Sequence, residues 1–497
     1  MDTKMASINI IMKTPKSICI VGGGTAGLVT ALILKKSYPS LQVDIIESSS
    51  IGIIGVGEGS TEHWKTFMDF MNIDKKEMLK SCDATFKAGI MFDNWSDKSY
   101  LQTVEGSYNI KFNEILSVYA KLIADQKPLT SEESFNSYVV WDNDPQEVLD
   151  EFPVVQFHFN TNKLNQYLHK LCNNIGIGLY DDTITNVEVN ENGIGEISSE
   201  TKTYNYDFYI DSTGFKRLLI DKLGAKWQSY SEYLKMNSAI VFPTENEEKF
   251  PMWTLARAMD AGWMFRIPVW GRNGNGYIFD KNYITPEQAK AEAEAYLGHK
   301  VEVAKHIEFD PGCVDRSWIK NCVAIGLSGS FVEPLEATSI GTSIQQAFLL
   351  ANRIINYNDR TVELYNKEVE DILLDIRDFV ALHYVVERED TQFWRDVKKM
   401  PLPPRLKKNM EMWKHKLPQD GDFGNASSYR LFGAPHYTLI LAGNNWFDIN
   451  SIREQYNLLP EDAKELTERI IEDGENLPPY VKKVSHKTII DLIRQIA

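Results

Sequence analysis

The chain has 497 residues, 43% of them apolar and 25% charged, the usual mixture of a soluble globular protein. That excludes a mainly disordered, collagen-like or coiled-coil chain and leaves room for two or three modules or one large α/β body. With 53 Lys and Arg against 69 Asp and Glu the formal charge is -16, which speaks against a nucleic-acid groove or docking on anionic lipid and favours a small or uncharged partner.

Residues 1–15 hold one short, mostly apolar run, 8–12, too short for a signal-peptide core and without a cleavage site, and they read as a tail before the first strand. Ile18-Cys19-Ile20-Val21 is a β-branched run. It leads into Gly22-Gly23-Gly24-Thr25-Ala26-Gly27 and a helix over 28–35. Gly22, Gly24 and Gly27 occupy the three positions of G-x-G-x-x-G: one for the tight turn, one for approach of a pyrophosphate to the backbone, one for helix-on-strand packing. A second strand, Val43-Asp44-Ile45-Ile46, ends at Glu47, about 20 residues beyond Gly27, where an acid can bond a ribose diol. A dinucleotide site follows from this spacing, with the choice between NAD and FAD left to other segments.

Residues 206–214 predict a buried strand closing on a small-residue turn, and 321–329 repeat that grammar ahead of a helix at about 335–355. A late strand returning to the cofactor in this way favours FAD. Gly271 to Gly276, between two strand-like runs, reads as a hairpin loop, so no second fingerprint for a nicotinamide is visible. From about 356 the pattern turns helical, with a long stretch at 363–381 and an acidic one at 459–473. Pro401, Pro403 and Pro404, beside Lys398, Lys399, Arg405, Lys407 and Lys408, predict a solvated connector, and the acidic runs 245–248 and 287–294 predict solvated faces.

No stretch approaches about 18 uninterrupted apolar residues, so no membrane span is expected. The five cysteines, Cys19, Cys82, Cys172, Cys313 and Cys322, form no C-x-x-C pair, which fits free thiols in a reducing, cytoplasmic compartment. The closer histidine pairs, His158 with His169 and His299 with His306, lack zinc spacing, so no metal is expected.

Three further segments, with the fingerprint, resemble the flavin-dependent halogenases of the tryptophan-halogenase type over most of the chain. Phe86-Lys87-Ala88-Gly89-Ile90-Met91-Phe92-Asp93-Asn94-Trp95 is similar to the stretch holding that family's catalytic lysine. Phe331-Val332-Glu333-Pro334-Leu335-Glu336-Ala337-Thr338 is similar to its catalytic-glutamate segment. Gly262-Trp263-Met264-Phe265-Arg266-Ile267-Pro268 is similar to its W-x-W-x-I-P signature, with Phe265 in place of the second tryptophan. The stretch from Arg377-Asp378-Phe379 through His383-Tyr384 to Phe393-Trp394 is similar too, and the nearest members are the compact phage-encoded and marine ones.

The resemblance implies an α/β fold: an FAD-binding Rossmann-like (GR2-type flavin monooxygenase-like) core over 1–230, with a substrate-lining segment inserted at about 100–155. A substrate-region sheet with the returning flavin and halide segment would cover 231–356, and a mainly helical C-terminal module 357–497. It implies FAD used as FADH2 and supplied by a separate NAD(P)H-dependent reductase. Reduced FAD and O2 form a hydroperoxide, a halide (chloride, bromide or iodide) attacks it, and hypohalous acid crosses a tunnel to an electron-rich aromatic substrate.

In family terms Lys87 receives the oxidant, by a charge-assisted hydrogen bond or as the neutral amine that burial favours. Glu336 orients the oxidant and takes the ring proton. Cofactor contacts fall on Gly22, Gly23, Gly24, Thr25, Ala26, Gly27, Glu47, Leu327 and Ile340, and halide contacts on the backbone of Thr338 and Ser339, the latter replacing the family's glycine. Trp263 and Phe265 alternate on a strand and would fence flavin from substrate. Residues 55–61, rich in glycine, read as a flexible strap between the two regions. The rivals are an aromatic monooxygenase that hydroxylates a substrate stacked on the flavin, kept open by Phe265 and Ser339, and a flavin-binding module without chemistry. Homo-oligomerisation is open.

Overall fold

The computed structural model describes residues 13–53, 55, 58–103, 112–130, 137–140, 156–246, 251–423, 430–475 and 482–495. Residues 1–12 of the expected tail at 1–15, Val56 and Gly57 of the expected strap, Glu247 and Glu248, and about half of the expected substrate-lining segment lie outside them.

In chain order the elements that position the site are β1 (Ser17–Val21), α1 (Thr25–Ser37), β2 (Gln42–Glu47), β3 (Glu58–Gly59), β4 (Thr85–Phe86), β5 (Gly89–Asp93), β6 (Tyr100–Thr103), β7 (Ser137–Val140), β8 (Phe157–Phe159) and β9 (Gly178–Asp181). There follow β10 (Phe208–Asp211), β11 (Ser238–Thr244), β12 (Trp253–Met259), β13 (Gly262–Val269), β14 (Arg272–Phe279), α2 (Pro286–Leu297), β15 (Lys305–Glu308), β16 (Trp318–Ile319), β17 (Cys322–Ala324) and α3 (Thr338–Ala351). The chain then runs through α4 (Asp359–His383), α5 (Pro404–Trp413), β18 (Lys482–Ser485) and α6 (His486–Gln495).

One sheet has the order β16-β17-β10-β1-β2-β9, parallel throughout except for the β16–β17 hairpin. Its central strand β1 is an unbroken apolar run because both faces are covered, and Ile18, Cys19 and Ile20 are fully buried. Helix α1 is buried from Gly27 to Leu34. It is apolar nearly all round because it lies between the sheet, α3 and the helix Thr161–Asn174.

The second sheet has the order β15-β11-β14-β13-β12-β5-β6, antiparallel except where β5 pairs with β12. It therefore draws strands from both sides of residue 230. Two small ladders, β3-β8-β4 and β18-β7, carry the strap and the C-terminal end. One contiguous apolar cluster reaches from Ile18 to Ile493.

Several expectations need adjustment. The hairpin at 271–276 is real but tighter. Val269 pairs with Arg272, leaving Trp270 and Gly271 as the turn, and Gly274 and Gly276 lie inside β14. The helix expected from 335 begins at Thr338, after a 3-10 turn at Pro334–Glu336 and a left-handed Ala337 with φ 53°.

The proline-rich connector becomes helix α5, with Pro404 at its first position, where a missing N–H costs nothing. Arg405 is not merely solvated: its Nη2 lies 3.0 Å from Asp375 Oδ1 and its Nε 3.1 Å from Asp378 Oδ2. On α2, Glu292 accepts from the Tyr277 hydroxyl at 2.7 Å and Glu294 from Val301 N at 3.0 Å, so only part of that acidic run is a solvated face. All five cysteines are free and buried. No helix among the described residues is long and apolar enough to cross a membrane.

Candidate active site

The three fingerprint glycines divide by what surrounds them. A Cβ on Gly22, whose φ is +115°, would stand 2.2 Å from Ser212 O, and one on Gly27 would stand 2.0 Å from Gly22 O. Both are demanded by the fold. A Cβ on Gly24 would meet nothing within 4 Å. Gly24 is the N-cap of α1, with no side-chain cap and no acid in the first turn, so the first N–H groups of the helix lack an intrahelical partner next to the open position at Gly24. Gly24→Val is therefore expected to fold with unchanged melting temperature and to bind FAD at least about tenfold more weakly by flavin-fluorescence titration. Gly22→Ala and Gly27→Ala are expected to cost about 1–3 kcal/mol of stability first.

Glu47 ends β2 with its carboxylate over Gly23, where a Cβ would fall 1.7 Å from Oε2, and His169 Nε2 lies 3.3 Å from Oε1. Only glycine at 23 lets that acid reach the fingerprint turn. The return of β17 to the same turn is enforced by Gly326, at φ +73°, where a Cβ would lie 2.6 Å from Ala26 Cβ. Half-buried Leu327 follows it directly. Buried Asp211 organises the neighbouring turn, accepting from Thr213 N at 3.0 Å, Leu219 N at 2.7 Å, Ile220 N at 2.9 Å and Ser328 Oγ at 3.0 Å.

Along and beside the strap, Glu58 Oε2, Thr61 Oγ1, His63 Nδ1 and Thr161 Oγ1 are buried with no hydrogen-bond partner among the described residues. Burial pushes the Glu58 carboxyl up to about 7 and the His63 imidazole down to about 4. A Cβ on Gly341, in α3, would stand 2.2 Å from Thr61 Oγ1, which brings the strap against the helix carrying buried Ile340. Orphaned polar atoms beside an open fingerprint fit a large group with polar edges, as FAD has. Helix α3 itself starts at Thr338, buried, and Ser339, exposed, with no side-chain cap and no acid in its first turn. Two backbone N–H groups at such a start suit a small anion.

Lys87 lies between β4 and β5 with 1% exposure, and Nζ donates to Ser60 O at 3.0 Å. Its backbone is held on both sides, Lys87 N by Gln156 O at 2.9 Å and Ala88 N by Met252 O at 2.6 Å. A Cβ on Gly59 would stand 3.2 Å from Ala337 Cβ and 3.6 Å from Lys87 Nζ. Strap, lysine and the residue after Glu336 thus meet at one point.

Glu336 is buried, and its Oε1 lies 2.6 Å from His383 Nε2, while His383 Nδ1 lies 2.8 Å from Phe379 O. A carbonyl only accepts, so Nδ1 carries a proton, and the contact between Nε2 and Oε1 holds one more. Phe92 stacks on Tyr100 at 5.1 Å and tilts on His383 at 5.1 Å. Burial, then the charge of Glu336, pushes the Tyr100 hydroxyl well above its ordinary value.

Trp263 and Phe265 share one face of β13, their ring centroids 6.0 Å apart, and belong to the main core, whereas Met264 belongs to the cluster on the other face. Phe265 lies over its partner Gly276, where a Cβ would fall 2.4 Å from its ring. Gly276→Ala should therefore displace that ring.

Glu333, fully buried, accepts from the Tyr384 hydroxyl, and the Trp263 indole N–H faces the same carboxyl without closing to a hydrogen bond. Burial pushes Glu333 up to about 8 from an ordinary 4.5. Folding raises this pKa, so the neutral acid contributes stability fully below about 4.5 and loses it as pH rises through about 8. Glu333→Gln, permanently neutral, is expected to gain stability over the parent as pH is raised from 5 to 9, read by melting temperature; a gap independent of pH would contradict the neutral carboxyl.

Lys87 and Glu336 lie on separate segments of the sequence, and only the family resemblance linked them, as two groups acting on one oxidant. His383 was legible only as part of a similar stretch, because a contact spanning 47 residues leaves no local signal. Nothing in the sequence pointed to Ser60 O, to Glu333 as a buried acid, or to His486, described below.

The family described as tryptophan halogenase matches residues 17–451. The 7-chloro-L-tryptophan 6-halogenase KtzR of Kutzneria sp. is 32% identical over 446 residues, covering 80% of this chain and 85% of that protein. The tryptophan 6-halogenase SttH of Streptomyces toxytricini is 30% identical, covering 86% and 88%. Among solved structures, Tar14, a tryptophan C-6 flavin-dependent halogenase (chlorinase) from taromycin biosynthesis, superimposes with TM-score 0.85 at 28% identity, covering 96% of this chain and 100% of that one.

Proposed function

The chain belongs to the tryptophan halogenase family and is an FAD-dependent halogenase acting on an aromatic substrate, and from that premise we propose how its own residues divide the work. The hydroxylase reading is not favoured by these relationships. FAD, when bound, supplies with oxygen and halide the hypohalous acid. Gly24, Thr25 and Ala26 would hold its phosphates at the N-terminus of α1, Glu47 would hold its ribose, and Leu327 and Ile340 would pack against its ring. The N–H groups of Thr338 and Ser339 hold the halide, and the exposed Ser339 side chain sets how open that place is.

Trp263 and Phe265 keep substrate from the flavin. Lys87 holds the oxidant by a charge-assisted hydrogen bond in a site that excludes water. Glu336, backed by His383, accepts the proton that the ring gives up. The observation that carries this reading is the burial of the Lys87 side chain where the strap meets the residue after Glu336.

With one fingerprint in the sequence, the reduced flavin comes from a separate reductase, and five buried free thiols suit the cytoplasm. Incubation with reduced FAD, oxygen and a panel of electron-rich arenes including tryptophan, with and without bromide, is expected to give a bromine mass shift only with bromide. Hydroxylated product irrespective of halide would overturn the reading.

A further inference from the structure

We infer that the C-terminal helix α6 is a positioning element for the lysine strand, with His486 as a positioning residue that acts through Phe86. This rests on the reading of Lys87 above. Helix α6 lies beyond residue 451, where the family match ends. Its first residue, His486, is 1% exposed. His486 Nε2 accepts from Phe86 N at 3.2 Å, and His486 Nδ1 lies 3.2 Å from Pro251 O.

These two partners flank Lys87. Phe86 precedes it in the chain, and Pro251 precedes Met252, whose carbonyl holds Ala88 N at 2.6 Å. One imidazole therefore bridges the segment that carries Lys87 and the segment whose Met252 carbonyl holds Ala88 N. The ring must be neutral with its proton on Nδ1, because Phe86 N–H only donates and Pro251 O only accepts. Strand β4 is two residues long and pairs with β8 through Thr85 and Phe86. Its outward N–H at Phe86 meets a side chain instead of a neighbouring strand.

The helix is anchored well enough to act as a fixed point. Ile489, Ile490 and Ile493 are buried in the main core. Arg494 reaches Asp83 at 3.3 Å and lies 4.8 Å over the Trp270 ring, and β18 pairs with β7 just before His486. Displacement of Phe86 would carry the Lys87 backbone with it and move Nζ from Ser60 O. Misplacement by about 1 Å is enough to cost one or two orders of magnitude in a positioned reaction.

The test uses the full chain with reduced FAD, oxygen, bromide and whichever arene of the panel gives most product. The readout is the ratio of brominated arene to hypobromite caught by a diketone scavenger in solution. His486→Leu, similar in bulk but without an acceptor, is expected to lower that ratio about tenfold with FAD affinity unchanged. His486→Gln, whose Oε1 can accept from Phe86 N–H, is expected to restore most of it, which a purely space-filling role would not require.

An unchanged ratio in folded His486→Leu, or equal impairment in both variants, overturns the inference. Should His486→Leu fail to fold, Arg494→Ala loosens the same helix from its partly exposed end and is expected to shift the ratio in the same direction; no shift there overturns it equally. Lys87→Ala separates the two levels. Full halogenation in that variant removes the reading of Lys87 itself, whereas a dead Lys87→Ala beside an unaffected His486→Leu sinks only the role of the helix.

Discussion

Lys87→Ala is expected to lower ring halogenation by about 10³-fold while oxidation of reduced flavin continues at the parent rate. The two halves of that expectation have separate structural roots. The open space at Gly24 and the orphaned polar atoms of the strap do not depend on the lysine, so flavin binding should persist. The proposed delivery step does depend on it, because Nζ is buried, donates to Ser60 O and lies beside Gly59, which also borders Ala337.

Lys87→Met, closer in volume, separates loss of charge from loss of bulk and should be as inactive as alanine. Free hypohalite should rise in both, since oxidant that is not held escapes to solvent. Halogenation of either variant at the parent rate, with arene and halide saturating, would sink the delivery role.

The parts legible in the sequence are those written in local patterns. The fingerprint could be read because Gly22 needs a positive φ at the tight turn and Gly27 answers to Gly22 O within the same strand-turn-helix unit, and β1 could be read because a doubly covered parallel strand must be apolar along its buried length. Trp263 and Phe265 fell on one face because strand periodicity is two. What failed was composition used as geometry. Gly274 and Gly276 looked like loop but sit in β14, where absence of a side chain makes room for the Phe265 ring. Arg405, in a basic proline-rich stretch, looked solvated but answers two acids on α4. The pairing of Glu336 with His383 and of Phe86 with His486 is a matter of tertiary folding across 47 and 400 residues, and no periodicity carries it.

Glu336→Gln is expected to reduce kcat by about 10²- to 10³-fold with a small change in KM and an unchanged melting temperature. The substitution keeps the shape, and the new amide N–H can donate to His383 Nε2, so the buried contact with α4 survives. What it removes is the capacity to take a proton. In the parent, Glu336 Oε1 and His383 Nε2 share one proton, and Nδ1 is committed to Phe379 O. The pair can therefore accept a further proton only through its carboxyl, and glutamine has no such acid–base site.

His383→Leu acts from the other side: it leaves a buried carboxyl without its partner, at a cost of about 1–3 kcal/mol, and should lower stability and rate together. The contrast identifies the role. If Glu336→Gln kept kcat within about twofold of the parent, the carboxylate would be only a structural pin ahead of α3, and the proton would have to leave the ring by another route.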